Sequence, residues 1–112
     1  MNDSGNGERL TPVLDSPARE GRVNALRIDY APGGFSDVHR HPAGAYVYVM
    51  EGSVMLGLEN QEPVLVKAGE SFYEPPGALH TVSRNASEER PASMIAFFVL
   101  DEGQSATVQD DD

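Results

Sequence analysis

Three histidines are the residues of this sequence whose type and spacing best suit chemistry. His39 and His41 are separated by one residue, and His80 lies in a second stretch that begins at Gly69. Side chains two positions apart in an extended strand leave the same face, so His39 and His41 reach one point together while Arg40 points away. Neutral imidazole is a good ligand for iron, zinc, copper or nickel. Three such ligands leave positions open for water or substrate, so the spacing predicts a metal site at which chemistry can occur.

The elements that must position these histidines are short strands. Dense β-forming runs recur between turn residues, at 23–30, 45–50, 54–58, 64–66, 71–73, 79–82 and 93–100. No window keeps a helical period over three turns, and this pattern is typical of an all-β sandwich or barrel. The tripeptide Glu51-Gly52-Ser53 between two of the runs predicts a hairpin. Candidates for the walls of an interior pocket are Ala45, Val47, Val49, Phe72, Met94 and Phe97.

Composition limits the partners and the location. The chain has 112 residues, which suits one domain, and a net charge of −10 from 8 basic and 18 acidic residues. Because phosphate contacts need a basic face, nucleic acid and anionic membranes are not expected as partners. The absence of cysteine excludes disulfides, thiolate ligands and cysteine nucleophiles. No run approaches the length of a membrane span, and residues 1–9 lack the features of a signal peptide, so a cytoplasmic location is expected.

Two segments resemble the two sequence motifs of the cupins. The first motif, G-x5-H-x-H-x3/4-E-x6-G, is matched at Gly33, His39, His41 and Gly52, and the second, G-x5-P-x-G-x2-H-x3-N, is matched at Gly69, Pro75, Gly77 and His80. The resemblance implies a small double-stranded β-helix, a jelly-roll barrel, over residues 22–103. A flexible segment over 1–21, with a short edge strand near 10–14, and an acidic tail over 104–112 are expected to flank it. The resemblance also implies a homodimer that binds a small molecule.

The sequence departs from the first motif at its glutamate. Alignment on Gly52 places Ala45 at that position, and the alternative spacing places Tyr46 there. The resemblance therefore implies a set of three histidines with no carboxylate. Glu74 is the nearest acidic residue to a motif position, although its spacing does not require it to approach the histidines. Tyr46 and Glu74 are the candidates for a catalytic role.

Three functions are consistent with such a site. Three neutral ligands leave the charge of a divalent ion uncompensated, which favours an anionic, chelating ligand. All-histidine sites in the cupins occur in dioxygenases, so the resemblance implies a dioxygenase with Fe(II), while Zn, Mn, Ni and Cu remain alternatives. The other functions are a non-catalytic barrel that binds or senses a small ligand, and a metal-assisted isomerase or lyase of a sugar-like or keto acid. A barrel that has lost its metal is the remaining interpretation.

Overall fold

Two antiparallel β-sheets enclose a common core. The computed structural model describes residues 2–3, 5–105 and 108–109, and every regular element within them is a strand. The strands are β1 (Asn2–Asp3), β2 (Glu8–Ala18), β3 (Gly21–Tyr30), β4 (His39–Arg40), β5 (Ala45–Glu51), β6 (Ser53–Leu58), β7 (Val64–Lys67), β8 (Ser71–Glu74), β9 (Leu79–Asn85), β10 (Ala92–Asp101) and β11 (Val108–Gln109). One sheet has the order β1-β2-β3-β10-β5-β8 and the other β11-β4-β9-β6-β7. The prediction of an all-β jelly-roll barrel is confirmed. Within the described part of the chain, no helix is long and apolar enough to cross a membrane.

Alternation along the strands decides which side chains face the core. In β5, Ala45, Val47 and Val49 are buried while Tyr46 and Tyr48 are exposed, as the period of two requires. The core draws side chains from both sheets and includes Tyr30, Val49, Val54, Leu56, Met94 and Phe98. The inward orientation predicted for residues 45, 47 and 49 is therefore confirmed.

The turn at Gly52 does not make a hairpin. β5 pairs with β8 and β10 in one sheet, whereas β6 pairs with β7 and β9 in the other. Gly52 has a positive φ of 73°, and a Cβ there would lie 2.6 Å from the carbonyl oxygen of Pro91. The turn carries the chain across the core, because Val49 and Val54 on either side of it are both fully buried. A tight turn between two β-forming runs can either close a hairpin or carry the chain from one sheet to the other. The local sequence does not distinguish the two, and the prediction of a hairpin is wrong here.

The N-terminal strand is longer than the sequence suggests. A loose segment with a short edge strand was expected up to residue 21, but β2 runs from Glu8 to Ala18 and pairs with β3 along its length. Its two prolines are accommodated near the edge of the sheet, with a register shift between Pro12 and Leu14. The domain boundary at residue 22 stays a prediction. Most of the expected acidic tail, including residues 110–112, lies outside the described residues.

Candidate metal centre

Strand pairing brings the three predicted histidines together. β4 and β9 are antiparallel neighbours, and their register sets His39 directly opposite His80. His41 follows two residues after His39, and its ring centroid lies 4.6 Å from that of His39. The rings of His39 and His80 are 4.9 Å apart. Because His41 and His80 are buried, the three imidazoles meet inside the barrel rather than in solvent.

A carboxylate stands among them, contrary to the expectation from the sequence. Glu74, the last residue of β8, is only 2% exposed. Its Oε2 lies 3.0 Å from Nδ1 of His80 and its Oε1 lies 3.4 Å from Nε2 of His41. In the ladder between β5 and β8, Glu74 is the direct partner of Ala45. The carboxylate missing at Ala45 is thus supplied from the neighbouring strand, on the same face of the sheet.

The donor set fits a divalent metal ion. One ligand atom from each of His39, His41, Glu74 and His80 lies within 4.8 Å of all the others. Glu74 Oε1 and both ring nitrogens of His80 are buried without a hydrogen-bond partner among the described residues. Buried polar atoms are rarely left in this state, and a bound cation would satisfy Glu74 Oε1 and one ring nitrogen of His80. Three imidazoles and one carboxylate would leave one net positive charge on such an ion, not the two expected for histidines alone.

The orientation and the protonation state of His39 suit a metal ligand. Its Nδ1 donates a hydrogen bond to the main-chain carbonyl of Asp37 at 2.7 Å, which leaves Nε2 to face the other donors. Burial lowers the pKa of His39 to about 4, so the ring is neutral at pH 7 and its lone pair is available.

Two glycines hold His41 and Glu74 near each other. The carbonyl of His41 accepts hydrogen bonds from the amides of Gly44 and Gly77, at 2.9 and 3.0 Å. Gly44 has φ 80°, and a Cβ there would lie 2.7 Å from the carbonyl oxygen of Glu74. Only glycine permits both the turn and this close approach. Arg40 points away as predicted, and its guanidinium donates to the carbonyl of Gly77.

A cavity of about 170 Å³ opens beside the four residues. β9 contributes both His80 and Ser83 to its wall because the strand bulges: Leu58 pairs with His80, but Gly57 already pairs with Val82. The apolar wall consists of Leu10, Leu26, Ile28, Val47, Met94, Ala96 and Phe98, and the polar wall also holds Glu8, Ser36 and Asp37. An apolar pocket with a few convergent polar groups is the usual form of a small-molecule site.

Several sequence-based candidates lie elsewhere. Ala45, Val49 and Phe72 pack in or against the core and do not line the cavity. Tyr46 is 56% exposed on the outer face of β5, where its ring lies 5.0 Å from that of Tyr73, so it does not reach the cavity. Phe97 faces outward, and its neighbour Phe98 lines the cavity instead. Met94 does line the cavity, and Phe72 packs against the core with its ring 6.4 Å from that of His80. Strand parity would have excluded Phe97, since it is three positions from Met94.

Three imidazoles and a carboxylate that could hold a metal ion thus converge inside a double-layered barrel. The chain belongs to the cupin family: the family model described as "Cupin domain" matches residues 26–108. The resemblance read from the two motifs is thereby confirmed.

Several curated relatives are plant proteins. A germin-like protein of subfamily 2 from Arabidopsis thaliana is 40% identical over an alignment of 81 residues that covers 68% of this chain and 36% of that protein. Nectarin-1 from a Nicotiana langsdorffii and Nicotiana sanderae cross is 42% identical over 81 residues, 68% of this chain and 34% of that protein. The chain therefore spans about a third of the length of these relatives.

Among solved structures, an oxalate oxidase in complex with the substrate analogue glycolate superposes with a TM-score of 0.74 at 27% identity, covering 94% of this chain and 56% of that one. A cupin-like protein from Thermotoga maritima reaches a TM-score of 0.77 at 14% identity, covering 96% and 82% of the two chains. This second likeness concerns the fold alone.

Proposed function

We propose that His39, His41, Glu74 and His80 together hold one divalent transition metal ion. The observation that carries the proposal is the convergence of these four residues, from separate strands, at one wall of a buried cavity. The buried atoms of Glu74 and His80 that lack a hydrogen bond among the described residues support it, because a bound cation would supply partners for Glu74 Oε1 and for one nitrogen of His80.

Fe(II) is the ion we favour. Imidazole suits iron, zinc, copper and nickel, whereas carboxylate oxygen shifts the preference toward harder ions such as manganese. A set of three imidazoles and one carboxylate fits Fe(II) and, as its nearest competitor, Mn(II). Either ion supplies Lewis acidity and one-electron chemistry with dioxygen when bound.

The reaction we propose is a dioxygen-dependent oxidation of a small acid, of the dioxygenase type. The net positive charge that Glu74 leaves on the ion attracts an anionic, chelating substrate. The similarity to an oxalate oxidase, whose structure contains glycolate, is consistent with an acid of this size. The apolar wall formed by residues such as Met94 and Phe98 excludes water around the bound acid.

The chain's own residues have separable tasks in this reaction. His39, oriented by the Asp37 carbonyl, and His41, fixed by the turn at Gly44, set the position of the metal. Glu74 supplies the only carboxylate among the four ligating residues and so sets the charge of the site. It is therefore a ligand in this proposal and not the acid–base catalyst considered from the sequence.

A non-catalytic barrel that binds the same acid is the second candidate. It uses the same metal and the same cavity, and it differs only in lacking turnover. The isomerase or lyase alternative is less favoured, because Glu74, the carboxylate in contact with His41 and His80, is a ligand in this proposal and is not available as a base.

Oxygen uptake separates the two candidates. The full chain, loaded anaerobically with Fe(II) and then exposed to dioxygen, should consume oxygen in the presence of one of a panel of hydroxy acids, keto acids, diketones and catechols. The variant His80→Ala, in which one ligand is removed, should be inactive. If the loaded protein binds acids by calorimetry yet consumes no oxygen with any of them, the enzymatic proposal is refuted and the binding function is retained.

We also propose that the protein forms a homodimer through the outer face of the larger sheet. Exposed apolar side chains concentrate there, among them Tyr46, Tyr48, Tyr73, Phe97 and Val99. Because the chain carries a charge of −10, two copies approach most readily through a patch rich in apolar side chains. Light scattering should give twice the monomer mass and Tyr48→Asp should halve it. A monomer mass for the unaltered chain would refute the dimer.

A further inference from the structure

The cavity has a second polar cluster besides the metal centre. Glu8, the first residue of β2, is the register partner of Tyr30 in β3, so their side chains leave the same face. The hydroxyl of Tyr30 lies 2.7 Å from Oγ of Ser83 and also hydrogen-bonds Ser36. The hydroxyl of Ser36 in turn donates to the Glu8 carboxylate. These four residues form a continuous chain of hydrogen bonds, three of whose members line the cavity.

The donor and acceptor in each of these hydrogen bonds follow from the one proton that each hydroxyl carries. Ser36 gives its single hydroxyl proton to Glu8, so the hydrogen bond between Tyr30 and Ser36 takes its proton from Tyr30. Tyr30 has then no proton left, and Ser83 must donate to it. All the hydroxyl protons therefore point toward Glu8. The Oγ of Ser83 consequently presents only lone pairs to a ligand in the cavity.

The second cluster is therefore a set of acceptors with negative charge. Glu8 carries a carboxylate, and Asp37 adds another acidic residue to the same part of the lining. Burial raises the pKa of Glu8, against the lowering effect of the hydrogen bond from Ser36. A carboxylate has several lone pairs, so Glu8 can accept a hydrogen bond from a ligand in addition to the one from Ser36. The metal centre, in contrast, attracts negative charge.

We propose that Glu8 and Ser83 form a subsite that binds a hydrogen-bond donor, a hydroxyl or an ammonium group, at the end of the ligand opposite its metal-chelating group. The subsite rejects a second carboxylate at that end. The inference rests on the proposed function, in which the chelating group is an acid bound at the metal. It narrows the substrate class to small hydroxy or amino derivatives of a chelating acid and disfavours dicarboxylates.

The size of the cavity limits the ligand. A cavity of about 150 Å³ accommodates benzene, so the 170 Å³ found here suits a ligand of about six to eight non-hydrogen atoms. Three α-hydroxy acids in this range make a matched series. Lactate, glycerate and tartronate share the same chelating group and differ at one carbon, which carries a methyl, a hydroxymethyl or a carboxylate group.

The test is calorimetric binding of the three acids to the full, metal-loaded chain under anaerobic conditions. Glycerate should bind about tenfold more tightly than lactate, as expected for a hydrogen bond to a charged acceptor. Tartronate should bind more weakly than lactate, because its second carboxylate faces Glu8. In Glu8→Gln the preference for glycerate should fall to about twofold, and tartronate should gain affinity. Ser83→Ala should also reduce the preference for glycerate without helping tartronate.

Two controls keep the result interpretable. Glu62→Gln makes the same chemical change at an exposed position and should leave the affinities for all three acids unchanged. The metal content and melting temperature of each variant are measured alongside, since the hydrogen-bonded chain also joins the two sheets. A purely structural role would lower stability but would not alter the ratio of the affinities for glycerate and lactate. If Glu8→Gln does not fold, the ratio measured with Ser83→Ala decides.

The outcomes separate this inference from the proposed function. Equal binding of glycerate and lactate, or a ratio unchanged in both variants, would overturn the subsite and leave the metal-bound acid standing. If none of the three acids binds the metal-loaded protein, the subsite is overturned, while the proposed function is decided separately by metal content and by oxygen uptake with the wider panel of acids.

Discussion

Replacing Glu74 by glutamine distinguishes a metal ligand from a structural ion pair. Glutamine keeps the shape of the side chain and removes its charge. In the metal-free protein, Glu74 is a buried carboxylate whose Oε1 has no hydrogen-bond partner among the described residues. Such a group carries a desolvation penalty of about 1–3 kcal/mol. We therefore expect Glu74→Gln to leave the free energy of unfolding of the metal-free protein unchanged or to raise it by about 1 kcal/mol, roughly 4 °C in Tm.

The metal-loaded protein should respond in the opposite direction. Altering a residue that only supports a ligand commonly weakens metal binding by about 10- to 100-fold, so loss of a ligand should cost at least about 100-fold. At a fixed metal concentration, a 100-fold loss removes about 2.7 kcal/mol of metal-linked stabilisation. The increase in Tm on adding metal should therefore shrink by roughly 10 °C in Glu74→Gln.

Thermal melts followed by circular dichroism, with and without Mn(II) as an air-stable ion, measure both effects. The exposed variant Glu62→Gln is the control and should behave as the unaltered chain in both series. A structural ion pair between Glu74 and a protonated histidine predicts the reverse, because breaking a buried pair costs about 3–5 kcal/mol. A lower Tm without metal, together with an unchanged response to metal, would refute the ligand assignment of Glu74.

Three further predictions follow from the geometry. The double substitution Ala45→Glu with Glu74→Ala moves the carboxylate to its partner across the ladder and conserves volume, so isothermal titration should show metal affinity partly restored relative to Glu74→Ala; no recovery would contradict the shared-face geometry. Gly44→Ala should lower Tm more than Gly77→Ala, since both have positive φ but only Gly44 faces a close main-chain oxygen; equal losses would contradict the close contact. The metal-free protein should lose stability as the pH falls from about 6.5 toward 4, because in this range His39 is protonated in the unfolded chain but stays neutral when buried in the folded protein. In pH-dependent melts, His39→Gln should reduce this dependence of stability on pH, and an unchanged dependence would contradict the lowered pKa.

The histidines were predictable because strand geometry is a local property. A spacing of two puts His39 and His41 on one face in any extended strand, and the second motif added His80 at a fixed offset from Gly69. The pairing of His39 with His80 depends on sheet register, which no local pattern contains. The resemblance supplied it, since the two motifs imply a common site.

The carboxylate was not predictable, because its placement depends on non-local pairing. Ala45 and Glu74 are 29 positions apart along the chain, and only the register between β5 and β8 sets them side by side. One signal was available: Glu74 directly precedes a proline, at the end of a strand that leads into the segment carrying His80. An acidic residue there, beside a motif position that lacks its own carboxylate, is worth treating as its replacement.

Two other errors have physical causes that parity and topology explain. Gly52 is compatible with any tight turn. Whether the turn closes a hairpin or connects the two sheets depends on how the strands before and after it pack in the core. Phe97 and Met94 cannot share a face of one regular strand, so strict use of the two-residue period would have selected Phe98. The cytoplasmic location expected from the sequence stays a prediction, to be tested by cell fractionation.

The metal content of the untagged protein tests the central claim most directly. Elemental analysis of the full chain, purified without a histidine tag and dialysed against metal-free buffer, should give about one transition metal ion per chain, with iron or manganese predominant. His41→Ala should lose that metal while retaining the strand content of the unaltered protein in circular dichroism. A substoichiometric metal content that is the same in the unaltered chain and in His41→Ala would contradict the account.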